Sequence, residues 1–152
     1  IVGTIERSAD TLLNILLNKE NNEDVLPSFH FLRDRATFID NEGVSRVGFK
    51  LSEDSAQKIT EGFASVTPDD VDMSKFKLAL ETMNEDTLTH FITRYAETLK
   101  LGMIKRKSVP VAKAAIDKGM SMALNKMLPD LPMSSLNRLA NYYRPFIVEK
   151  AD

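Results

Sequence analysis

The sequence predicts a mainly α fold: a compact bundle of about six or seven helices in one domain spanning residues 1–152, with one small β-hairpin near residues 36–51. Three observations carry this. Apolar residues recur at spacings of three and four through most of the chain, which is helical periodicity. Strict apolar–polar alternation is confined to one short stretch, after Asp40-Asn41-Glu42-Gly43. Gly and Pro are few, six of each, and Pro68, Gly102, Pro129, Pro132 and Pro145 punctuate the periodic stretches.

The elements follow in order. Thr4 to Leu17 carries a stripe of Ile5, Leu12, Leu13, Leu16 and Leu17, and Glu20 to Asp24 is a polar loop. Asp24 is placed to cap a helix in which Val25, Phe29, Leu32, Ala36 and Ile39 share a face. The turn at Asp40–Gly43 then sets Ala36–Ile39 against Arg46–Leu51 as a hairpin, which must pack on helices to be stable. Ser52 caps the next helix, with Glu53 and Asp54 in a first turn that favours negative charge. Its inner face is Ala56, Ile59, Thr60, Phe63 and Val66, and Thr67-Pro68-Asp69-Asp70 stops it.

A short helix follows Asp72 through Met73, Phe76, Leu80 and Met83. Asn84 caps another, with a stripe of Leu88, Phe91, Ile92, Tyr95 and Leu99 and a C′ glycine at Gly102. Met103 to Lys107 links into a central helix over Val109–Leu128, capped by Ser108, with Pro110 in its first turn. There Ala112, Ala115, Ile116, Gly119, Met120, Ala123, Leu124 and Met127 form one stripe. Ala115, Gly119 and Ala123 make a shallow groove for a close neighbour. Pro129 and Pro132 end this helix. Ser134 or Ser135 caps the last, with Leu136, Leu139, Ala140 and Tyr143 inward and Pro145 at its end. Phe146, Ile147 and Val148 are an apolar tail that must dock on this domain or on another molecule.

Composition narrows the function. The chain is 43% hydrophobic and 28% charged, which fits an ordinary globular domain and argues against disorder. No apolar run approaches the roughly 20 residues that span a bilayer, and no basic-then-apolar leader is legible at the start. There is no cysteine, so thiolate chemistry and disulfides are absent. Charge is unevenly placed: 17 acids face 9 bases up to His90, and 5 acids face 11 bases beyond it. An acidic front and a basic back can attract each other within one molecule or between copies.

The parts of a common active site are thin. The two histidines, His30 and His90, lie far apart in the sequence. His30, between Phe29 and Phe31, reads as partly buried and structural. Asp86 and His90 share a helix face at a spacing that orients an imidazole or supplies two metal ligands, but no further ligand is evident. Asp69, Asp70 and Asp72 do not match a calcium loop, and no glycine-rich phosphate loop occurs. No metal or cofactor site is therefore assigned.

The sharpest charge feature is Lys105-Arg106-Lys107. Together with Arg138 and Arg144 in the last helix, it is the candidate surface for a nucleic-acid strand. The leading expectation is a non-enzymatic protein–protein interaction or assembly module, with another protein or a second copy of itself as partner, and with Phe146, Ile147 and Val148 as contact residues. Nucleic-acid binding is one alternative. A carrier of an apolar ligand between helices rich in methionine is another, because five of the seven methionines lie between Met103 and Met133. An enzyme is the reading the residues support least.

Overall fold

The computed structural model describes residues 25–99 and 101–147. The expected Thr4–Leu17 helix, the Glu20–Asp24 loop with its Asp24 cap, and Val148 lie outside the described residues. Within them the chain is mainly helical, with one two-stranded antiparallel sheet.

Helix α1 spans Val25–Arg35. Its inward side is not the expected one. Phe31 is buried, while Phe29 and Leu32 are exposed. The Phe31 ring packs 5.4 Å from His90 and 5.3 Å from Tyr95, and the Ser28 and Tyr95 hydroxyls hydrogen-bond. Ala36, also buried, leads directly into the hairpin of β1 (Thr37–Ile39) and β2 (Ser45–Val47). The register pairs Thr37 with Val47, Phe38 with Arg46 and Ile39 with Ser45, and Gly48 N–H adds a bond to Ala36 C=O. Pairing thus ends at Gly48, short of the expected Leu51.

Asp40 holds the turn. It is buried, and its carboxylate accepts from Glu42 N–H (3.0 Å), Val44 N–H (2.9 Å) and Arg46 Nε (2.6 Å). Gly43 N–H bonds Asp40 C=O, and Gly43 takes φ +79°. That is a type I turn closed by a left-handed residue, where glycine carries no Cβ penalty.

Helix α2 (Glu53–Ala64) starts as its sequence predicts, with Ser52 Oγ accepting from Ser55 N–H at 3.0 Å. It buries Ser55, Ile59, Gly62 and Phe63, whereas Thr60 faces solvent. The Thr67–Asp70 turn returns the chain through a single Val66–Val71 bridge. Asp72 then caps α3 (Met73–Leu88), accepting from Ser74 and Lys75 N–H. The acidic cluster is therefore a turn and a helix start.

No break occurs at Asn84. Helix α3 continues through a π-helical turn, Thr89–Arg94, into α4 (Tyr95–Thr98), so one rod replaces the two expected helices. An N-cap must leave helical backbone geometry. Asn84 stays inside the helix and instead donates to Asp117 Oδ1 at 3.2 Å, a long-range bond that local capping preference cannot anticipate.

The next helix, α5, runs from Met103 to Met127 and begins earlier than expected. Gly102 is its N-cap at φ −62°, not a left-handed C′ residue of the helix before it. Ser108 lies inside α5, donating to Ile104 C=O at 2.9 Å. Pro110 also lies inside it, where it leaves Arg106 C=O without its helical donor. Lys105, Arg106 and Lys107, all good helix formers, extend the element backwards across the expected linker.

Leu128–Asp130 forms a 3-10 turn, followed by α6 (Met133–Tyr143) and a second 3-10 turn at Arg144–Phe146. Pro132 occupies the N-cap of α6, so Ser134 and Ser135 fall in its first turn and cap nothing. Leu136 and Ala140 are buried, and Leu139 and Tyr143 pack beside them as expected.

Two apolar clusters hold these elements. The larger joins α2, α3 and α6 around Phe63 and Phe76, with Ile59, Leu80, Leu128 and Leu136. Burying side chains of this size contributes about 1.5–3 kcal/mol each. The rings of Phe63 and Phe76 meet edge to face at 5.9 Å. The backbones approach closely at Gly62, where an added Cβ would lie 2.4 Å from Ala79 Cβ and 2.5 Å from Lys75 O. The smaller cluster joins α4 and α5 through Ala96, Leu99, Val109, Ala112 and Ile116. Helix α5 runs antiparallel to the α3–α4 rod: Ser121 bonds Glu81, Asn84 bonds Asp117, and Ala96 packs with Val109 and Ala112. It therefore lines the smaller cluster with its first half and reaches the larger one through Leu124.

Candidate functional sites

Three places in the molecule depart from plain core-and-surface packing. The first is the π turn. His90 is only 6% exposed, and neither ring nitrogen has a hydrogen-bond partner among the described residues. It stacks on Phe49 at 4.6 Å and meets Phe91 edge-on at 5.0 Å. Burial pushes the His90 pKa below its ordinary value, and the Arg94 and Arg35 charges push the same way. Asp86 Oδ2 and Thr93 Oγ1 are also buried without partners. Asp86 and His90 do not hydrogen-bond each other. No group of three or more metal-ligating side chains occurs among the described residues. His30, expected to be partly buried, is exposed, with Arg33 Nη2 3.0 Å from its Nδ1.

The second place is a cleft of about 720 Å³ between the rod and α5. One wall is Thr89, Thr93, Ala96, Glu97 and Leu101. The other is Arg106, Val109, Pro110, Lys113, Ala114 and Asp117. Lys113 pairs with Asp117 at 2.7 Å, and Asp117 also accepts from Asn84. Arg106 forms no ion pair among the described residues. None of the methionines lines this space; Met103, Met122 and Met127 are exposed instead.

The third is the outward face of α5. Ile104 is 83% exposed, Val111 70% and Met122 47%. Seven and eleven residues separate Val111 from Ile104 and Met122, which places all three on one helix face. Ala115 lies between them, and Lys107 and Lys118 flank the strip.

The five cations singled out by sequence do not act alike. Lys105, Arg106 and Lys107 sit in the first turns of α5. Arg138 is exposed on α6. Arg144 is committed: its Nη2 donates to Phe63 C=O at 2.7 Å and Val66 C=O at 2.8 Å, and its Nη1 donates to Asn141. It adds a charged donor to carbonyls at and just past the C-terminus of α2, where a cation also complements the helix dipole. Of the apolar tail, Phe146 remains exposed against Tyr142, and Ile147 packs partly on the larger cluster. The α5 strip had been legible only as a linker and a helix start, because Ile104 fell before the expected cap. The π turn carries no sequence signal of its own.

Compared with known proteins, the chain matches no family model, no curated protein and no solved structure, so these sites are read from their own residues.

Proposed function

We propose that the protein is a non-enzymatic assembly module that associates with a second copy of itself through the outward face of α5. The observation that supports this most is the strip of Ile104, Val111 and Met122, three large apolar side chains in water along one face of the longest helix. Large apolar side chains aligned on one exposed face are the kind of surface that contact sites use. A face repeated on each copy suits an isologous pair. Lys107 and Lys118 beside it would approach their own counterparts in such a pair, so association should strengthen as salt screens them. Of the expected tail contacts, Ile147 packs partly on its own core while Phe146 stays exposed, so α5 is the main contact region, with Phe146 as a further candidate.

Nucleic-acid binding has weaker support. Arg144 spends its guanidinium on α2, which leaves a basic run at one helix end rather than a converging surface. Light scattering across a concentration series tests the proposal. The mass is expected to rise above the 17.1 kDa of one chain as concentration increases, and Val111→Glu is expected to hold it there. A wild-type mass of one chain at every concentration refutes the reading, as does a Val111→Glu variant that assembles like wild type.

A further inference from the structure

We infer that the cleft between the π turn and α5 is a binding site for one amphiphilic anion, an unbranched alkyl carboxylate, with Arg106 holding the carboxylate. The volume of about 720 Å³ lies within the ~300–1,000 Å³ of small-ligand sites. From Arg106 to Asp117, at about 1.5 Å of rise per residue, the cleft runs about 16 Å along α5. Lining residues spread over that length suit an extended chain. Ala96, Val109, Pro110 and Ala114 line it.

Charge selects the head group and its position. Lys113 is neutralised by Asp117 at 2.7 Å, so that end offers no free cation. Arg106 at the other end has no acidic partner among the described residues and lies next to Lys105 and Lys107 near a helix N-terminus without a side-chain cap. A planar guanidinium fork matches a carboxylate. Glu97, exposed on the opposite wall, opposes an anion and sets a limit on affinity. The site is independent of the α5 strip, which lies on another side of the helix.

Calorimetric titration of the full chain with laurate, below its micelle concentration, tests this. One laurate is expected per chain. Arg106→Gln is expected to weaken binding by roughly tenfold or more, the usual size for losing a charged hydrogen bond. Glu97→Gln is expected to tighten it. Ala114→Phe, a change at an exposed position that fills the cleft, is expected to abolish binding with the melting temperature unchanged. Val111→Glu is expected to leave it alone. Failure of laurate to saturate refutes the site. So does dodecanol binding as tightly as laurate with no effect of Arg106→Gln, or laurate binding that survives Ala114→Phe.

Discussion

The close crossing of α2 and α3 makes a sharp prediction at Gly62. Substituting alanine in a helix ordinarily gains about 0.8–1 kcal/mol over glycine. Here the new Cβ would stand 2.4 Å from Ala79 Cβ and 2.5 Å from Lys75 O. Carbon atoms at rest sit about 3.5–4.0 Å apart, so the helices must separate by more than about 1 Å. Neither neighbour can swing aside, since one is backbone and the other is the first side-chain carbon. Overpacking of this kind costs about 1–3 kcal/mol, and a clash with fixed atoms belongs at the upper end. After the propensity gain, Gly62→Ala should lose about 2 kcal/mol. At about 2–4 °C per kcal/mol for a chain of this size, the melting point falls by about 4–8 °C. Thermal and urea unfolding followed by circular dichroism read this directly. Ala79→Gly removes one of the clashing atoms, so it should cost less in the Gly62→Ala background than in wild type. A Gly62→Ala protein as stable as wild type, or more so, would show that α2 and α3 do not approach there, and the packing argument would fail.

Two further outcomes follow from the sites. Arg144→Ala should lose about 1.5–3 kcal/mol in urea unfolding, because two carbonyls at the end of α2 lose a charged donor, whereas Arg138→Ala on the open surface should change stability by no more than about 0.5 kcal/mol; equal effects would contradict the capping role. His90 titrates at an ordinary 6.5 when unfolded and below that when folded, so between those values the unfolded chain binds more protons. Its contribution is complete above pH 6.5 and is lost as pH falls through the folded value; His90→Phe, which keeps a ring between Phe31 and Phe49, should flatten that part of the stability–pH curve. A decline of unchanged size in the variant would place the titration elsewhere.

Much of the fold was legible where the signal is local. Ser52 with Glu53 and Asp54, Asp72 before Met73, and the Asp40–Gly43 turn each act within a few residues, and each does what its sequence implies. The errors cluster where partners distant in sequence decide. Asn84 has the chemistry of a cap but serves Asp117, across the α3–α5 contact. Ser108 and Pro110 look like a helix start, yet the helix begins at Met103. Gly102 has the residue type of a helix end, yet it begins the next helix. The small-residue groove at Ala115, Gly119 and Ala123 drew attention because its spacing is regular. A close approach that no periodicity announces is Gly62 against Ala79, a pair on different helices. The sites follow the same division. The basic run at Lys105–Lys107 is visible in one line of sequence. Its separation from Arg144, and the cleft beneath Arg106, depend on how α5 and α6 fold back on the rest.

The proposal that copies of this chain meet along α5 has a direct structural test, helped by the absence of cysteine. Ala115→Cys places a single thiol in the middle of the Ile104–Val111–Met122 strip. A disulfide forms only when two Cα atoms come within about 7 Å. Under mild oxidation this variant should convert to a covalent dimer on a denaturing gel, while Glu53→Cys, at the start of α2, should remain monomeric. Because a two-fold brings like residues within reach only near its axis, Val111→Cys and Lys118→Cys are read in the same way; no dimer from any of the three, or equal dimer from Glu53→Cys, would contradict assembly through this face.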